Sequence, residues 1–61
     1  MPIVQITLVK GRSRDAVDHC IRQVARTVAA TLDAPLETVR VIANEVEPDR
    51  FAVGDTLKSD H

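Results

Sequence analysis

The 61-residue chain has no tryptophan, no tyrosine and a single phenylalanine, Phe51. It therefore offers no aromatic platform on which bases could stack. Its 8 basic and 9 acidic residues, a formal net charge of −1, leave no electrostatic footprint for nucleic acid. Cysteine is equally scarce: Cys20 alone cannot form an internal disulfide, and a lone thiol suits a reducing interior. The two histidines, His19 beside Cys20 and His61 at the end, make no recognisable metal-ligand spacing, so no metal is expected. No apolar run approaches the roughly 20 residues of a membrane span, and no charged leader precedes a cleavable apolar stretch. The expectation is a soluble, cytoplasmic protein with neither a membrane nor a nucleic acid as partner.

Size adds a further constraint. A single domain over residues 1–61 buries only about 60% of the surface that its unfolded chain exposes, which leaves a monomer marginal. Chains this small recruit disulfides, a metal or partner subunits. With the first two missing, oligomerisation is the remaining route.

The residues that are present fall into a simple order. "PIVQITLV" alternates Val4, Ile6 and Leu8 against Ile3, Gln5 and Thr7 and is rich in β-branched side chains, which predicts a strand. Gly11 breaks the pattern, and Ser13 is a good helix N-cap with Asp15 and Asp18 in the first turns. Val17, Cys20, Ile21, Val24, Val28 and Leu32 then recur at helical spacing. They predict one apolar stripe on a helix of roughly 19 residues, with Arg22, Gln23 and Arg26 on the polar side and Asp18 placed to pair with Arg22. "DAP" ends the helix, and "PLET" suits one further turn. "TVRVIANEV" alternates again, with Val39, Val41 and Ala43 opposite Arg40, Ile42 and Asn44. Two strands joined by a long helix make a β-α-β unit with parallel strands and a right-handed crossover. The tail carries turn signals at Pro48-Asp49 and Gly54-Asp55 around Phe51, Ala52 and Val53, predicting a short hairpin or an arm onto a neighbouring subunit. The fold class is thus α/β (α+β), in an oligomer. One helix covers only one sheet face, yet Ile3 and Ile42 place apolar groups on the other, so that face also needs a protein surface against it.

Candidates for chemistry are few. Pro2 can simply begin a strand, a position proline tolerates. It can instead become the first residue once Met1 is removed, with a ring amine as a base. An ordinary α-amino group titrates at about 7.7–8.0, and nearby cations or apolar surroundings lower that value toward the neutral range that proton transfer favours. Arg12, after Gly11, and Arg40, in the second strand, are either solvated surface charges or a pair of guanidinium groups able to grip carboxylates and steady an enolate oxygen. Phe51 is either a core or interface anchor or a wall that dries a site. Cys20 reads as packing and His19 as surface. Paired carboxylates, a glycine-rich phosphate loop and a nucleophile triad are all missing.

Taken together, "PIVQITLVKGRS", "LDAPLETVRVIANEV" and "RFAVG" resemble the 4-oxalocrotonate tautomerase family over nearly the whole chain. The resemblance implies a β-α-β protein with an amino-terminal catalytic proline, needing no cofactor, that assembles as a hexamer (a trimer of dimers) with sites shared between subunits. It implies that Pro2 is the general base, taking the hydroxyl proton of a dienol and returning a proton to carbon. Arg12 matches the arginine on the distal carboxylate. Arg40 matches the one on the 2-oxygen and its adjacent carboxylate, usually supplied by a neighbouring subunit. Phe51 matches the hydrophobic residue that depresses the proline pKa, and Val9 and Val53 match pocket-lining positions. The family's stretch after the phenylalanine is commonly glycine-rich, whereas Ala52 and Asp55 stand here, and Arg50 adds a cation beside Phe51.

The expected activity is therefore isomerisation of a 2-hydroxy-dienoate, such as 2-hydroxymuconate, to its conjugated 2-oxo-enoate, in aromatic-ring catabolism or in a biosynthetic pathway using the same shift. The small-molecule partner would be an unsaturated oxo or hydroxy acid. Two alternatives compete. One is hydration or hydrolytic dehalogenation of an unsaturated acid, which needs a carboxylate to activate water, and no acidic residue has an evident place for it. The other is a non-catalytic subunit of a mixed oligomer, which would have no need to keep Pro2, Arg12, Arg40 and Phe51 together.

Overall fold

The structure, a computed structural model, describes residues 1–60. Strand β1 spans Ile3–Val9, helix α1 Arg14–Thr31 and strand β2 Arg40–Val46. A single 3-10 turn at Leu36–Thr38 precedes β2, and another at Pro48–Arg50 follows it. The chain then makes two-residue strands β3 (Ala52–Val53) and β4 (Thr56–Leu57) and ends in a turn at Lys58–Asp60. This is the expected β-α-β unit with a C-terminal hairpin, and "PLET" does form its extra turn. His61 lies outside the described residues.

Strands β1 and β2 are parallel, in a register that pairs Ile3 with Arg40, Gln5 with Ile42 and Val9 with Val46. Because side chains alternate, one register settles both faces. Val4, Ile6, Leu8, Val41 and Ala43 lie half-buried on the face that α1 covers. Ile3, Gln5, Thr7, Arg40, Ile42 and Asn44 form the other face, and all six are exposed. The two-sided apolar pattern of the strands thus leaves one face with no cover in the single chain.

Helix α1 starts where the sequence places its cap. Ser13 has extended backbone geometry, and its Oγ accepts from the Ala16 N–H at 3.2 Å. Replacing that hydroxyl orphans one of the helix's first donors. Ser13→Ala is expected to cost about 1 kcal/mol, read as a lower urea midpoint with unchanged denaturant slope. The helix is 18 residues long, one fewer than expected. Its end is not made by Pro35 alone. Asp33 adopts φ +53°, and the Ala34 N–H reaches back to the Ala29 carbonyl at 2.9 Å, a Schellman closure. Leu32 is therefore the C-cap and 64% exposed, not the last member of the buried stripe. Cys20 is also exposed, although it lines the groove between α1 and the sheet beside Ile6, Leu8 and Ala43. The foreseen Asp18–Arg22 pair is not formed; the ion pairs among the described residues are Lys10–Glu47 and Asp49–Arg50.

A single chain has almost no interior. Among the described residues Val17 is the only buried hydrophobic one, while Ile3, Ile42, Leu36, Phe51 and Val53 are exposed. The radius of gyration is 14.4 Å, against about 10.5 Å for a compact chain of this length. The accessible surface is 4793 Å², roughly 900 Å² more than a compact monomer of this mass would expose. The geometry thus leaves much apolar surface uncovered in the single chain, in line with the expectation from its size.

Candidate functional site

The candidate residues divide between the two ends of the β1–β2 pair. At the N-terminal end, Pro2 is half-buried just ahead of β1, and its carbonyl accepts the Arg40 N–H at 2.9 Å. Proline has no N–H to leave unpaired, so it suits the head of a strand that begins by accepting a hydrogen bond. Met1 in front of it is 78% exposed, open to removal. The Arg40 guanidinium folds back onto the turn before β2, Nη1 donating to the Glu37 carbonyl at 2.8 Å. A guanidinium has five donors, and this bond uses one, so the rest are free to meet an anion.

At the other end, Val9 pairs with Val46, and the Lys10 N–H donates to the Val46 carbonyl at 2.9 Å. Gly11 follows with φ +148°, a conformation that side chains rarely adopt. It swings Arg12 out of the strand's line, directly before the Ser13 cap. Arg12 stands at the mouth of an apolar groove of about 410 Å³ between α1 and the sheet, lined by Ile6, Leu8, Val17, Ile21 and Ala43 among others. On the β2 side, Glu47 leads into the turn Pro48–Arg50, closed by the Arg50 N–H on the Glu47 carbonyl at 2.8 Å, and the turn delivers Phe51.

Lys10 and Glu47 join these two segments through Nζ and Oε1, 2.8 Å apart. The hydrogen bond it donates to Glu47, and then the negative charge of Glu47, hold the Lys10 ammonium above its ordinary pKa. A raised lysine pKa means the contribution of this pair is complete below the ordinary lysine value and is lost only as the pH climbs through the raised one. The link is therefore intact at neutral pH. Neither partner was singled out by the sequence, because nothing in a single chain predicts that residues 37 positions apart will meet.

Phe51 is 39% exposed, and Val53 in β3 is 74% exposed. The hairpin that carries Val53 turns through Gly54 at φ +62°, the left-handed geometry that a tight two-residue loop demands of its first position. The Lys58 N–H closes the hairpin on the Phe51 carbonyl at 2.8 Å. One chain thus gathers Pro2 with Arg40 at one end, and Val9 and Arg12 with the Phe51 turn at the other. β1 has seven residues, so the ends stand about 23 Å apart at 3.3 Å per residue. No side chain spans that gap, and the two groups do not meet within one chain. Among the described residues no three His, Cys, Asp or Glu side chains gather as a metal would require, and no helix is long and apolar enough to cross a membrane.

In fold, the chain is an α+β protein of the kind seen in 4-oxalocrotonate tautomerases. It superimposes on the crystal structure of a 4-oxalocrotonate tautomerase homologue with a TM-score of 0.92 at 34% identity, covering 100% of this chain and 97% of that one. A 4-oxalocrotonate tautomerase from Chloroflexus aurantiacus J-10-fl, described as a heterohexamer, matches with a TM-score of 0.90 at 33% identity over 98% of this chain and 97% of its own. A 2-hydroxymuconate tautomerase of Pseudomonas putida is 42% identical over 59 residues, 97% of this chain and 94% of that protein. Residues 2–61 match the family described as Tautomerase enzyme, and the chain belongs to that family.

Proposed function

We propose that this protein is a cytoplasmic, cofactor-free tautomerase that converts a 2-hydroxy-dienoate, with 2-hydroxymuconate as the reference substrate, into the conjugated 2-oxo-enoate. Pro2, freed by removal of Met1, is the general base. The amine takes the proton of the 2-hydroxyl group, the O–H bond breaks, and the electron pair spreads over the dienolate. The prolyl ammonium then gives its proton to a carbon further along the chain, forming the C–H bond of the product. Atoms and charge balance with one base and nothing else consumed.

The residues supply what the intermediate needs. Arg40 of a neighbouring protomer holds the 2-oxygen and its adjacent carboxylate, and Arg12 holds the distal carboxylate and draws electron density toward it. Phe51, with Val9 and Val53, excludes water, and together with the two cations disfavours the ammonium and brings the amine toward neutrality.

The observation that carries this reading is the division of the site residues between two ends of one strand pair, on a chain with an uncovered apolar face. A complete site follows when one protomer's Pro2 meets the Arg12 and Phe51 end of another protomer and the Arg40 of a neighbour, as a homohexamer built as a trimer of dimers provides. The test pairs intact mass with the ultraviolet assay for ketonisation. Protein lacking Met1 is expected to turn over 2-hydroxymuconate. Full activity in a sample proven to retain Met1 would overturn the amine base, because Pro2 is then an amide without a basic nitrogen.

A further inference from the structure

Arg12 and Phe51 reach the substrate, in the reading above, from the same protomer, yet each rides on a short segment with little to hold it. Arg12 follows Gly11, whose φ of +148° belongs to the most permissive residue. Phe51 follows a single 3-10 turn. The two segments are joined at their roots. The Lys10 N–H bonds the Val46 carbonyl at 2.9 Å, and the Lys10 Nζ bonds the Glu47 Oε1 at 2.8 Å. Among the described residues no other hydrogen bond connects 10–13 with 46–51.

We propose that the Lys10–Glu47 ion pair is a positioning pair for the tautomerase site. It fixes the Arg12 loop against the Phe51 turn, so that the carboxylate-binding cation and the apolar wall meet one substrate in a set relation. The inference rests on the tautomerase reading above. Both side chains are more than half exposed, 55% and 57%, and ion pairs in such positions add little to stability. The consequence of this one is geometric. A misplacement of about 1 Å in a group that orients substrate can cost far more rate than a surface ion pair costs in folding. The backbone bond from Lys10 keeps the strands paired in any variant, so the side-chain link can be removed without unzipping the sheet.

The experiment compares wild type, Lys10→Gln, Glu47→Gln and the swapped pair Lys10→Glu with Glu47→Lys, all with Met1 removed. KM and kcat for 2-hydroxymuconate are measured beside the thermal midpoint and the size in solution. Each single change is expected to raise KM about three- to fivefold, the range an exposed pair can command, with midpoint and size unchanged. The swapped pair is expected to return KM to within about twofold of wild type, since opposite charges again face each other. Single variants with wild-type KM, or a swap no better than the singles, would overturn the positioning role. So would a KM loss that tracks a falling thermal midpoint. A wild type that fails to turn over 2-hydroxymuconate removes the parent reading and this one with it. An active wild type with unaffected single variants removes only this one.

Discussion

Pro2→Ala, in protein from which Met1 has been removed, should lose about a hundredfold or more in kcat for the ketonisation of 2-hydroxymuconate, the range that a positioned general base supplies. The variant is a strict test because alanine also leaves an amine at the N-terminus, so the comparison isolates what the ring does. The pyrrolidine holds its nitrogen lone pair in one direction relative to the strand. A primary amine rotates freely about its bond to Cα and must be oriented anew at each encounter. Folding is expected to be unaffected. The contact that residue 2 makes with the sheet is its carbonyl accepting the Arg40 N–H, and alanine presents the same carbonyl. Circular dichroism and size in solution should therefore match wild type while turnover collapses. Turnover within about threefold of wild type would mean that proton transfer in this protein does not need the prolyl ring.

Much of the fold was legible because it is written in parity and period. The alternation of Val4, Ile6 and Leu8, and of Val41 and Ala43, gives two strands. The helical recurrence of Val17, Ile21, Val24 and Val28 gives the element between them. The crossover length then makes the strands parallel. Leu32 shows where such reading stops. It keeps the helical spacing, but the chain leaves the helix through Asp33 in a left-handed conformation, and spacing carries no information about which residue will take that role. Cys20 also keeps the helical spacing, yet it lines a groove left open between helix and sheet and stays exposed. The site was legible only through resemblance. Taken singly, Pro2 is a strand edge and Arg12 and Arg40 are surface charges. That Pro2 lies beside Arg40, and Lys10 against Glu47, depends on the parallel register, which brings together residues far apart in the chain.

The register also has a consequence for assembly. It places Pro2 and Arg40 at one end and Arg12 and Phe51 at the other, so under the proposed mechanism a lone chain should be inactive by geometry rather than by missing residues. On that reading the exposed face of Ile3, Gln5, Thr7, Ile42 and Asn44 is the surface on which activity should depend. Catalysis and association should fail together.

Ile42→Asp puts that dependence to the test, and its effect should rival that of losing the base. Ile42 is 44% exposed in the single chain and central on the uncovered sheet face, opposite Gln5. In the lone chain an aspartate there would face water at little cost. In an assembly it would enter an apolar contact without a partner, a penalty of several kcal/mol per site that recurs at every copy of a symmetric interface. The expected result is a drop in solution mass by light scattering to a smaller species, loss of nearly all turnover, and a lower unfolding midpoint, since the freed chain has almost no buried core. Ile42→Val removes one methylene and should keep both mass and activity, which separates the effect of charge from that of shape. Ile42→Asp protein that retains the wild-type mass would place this face outside the assembly. Full activity in a species proven monomeric would contradict the shared site itself, because about 23 Å of strand separates Pro2 from the Arg12 end of its own chain.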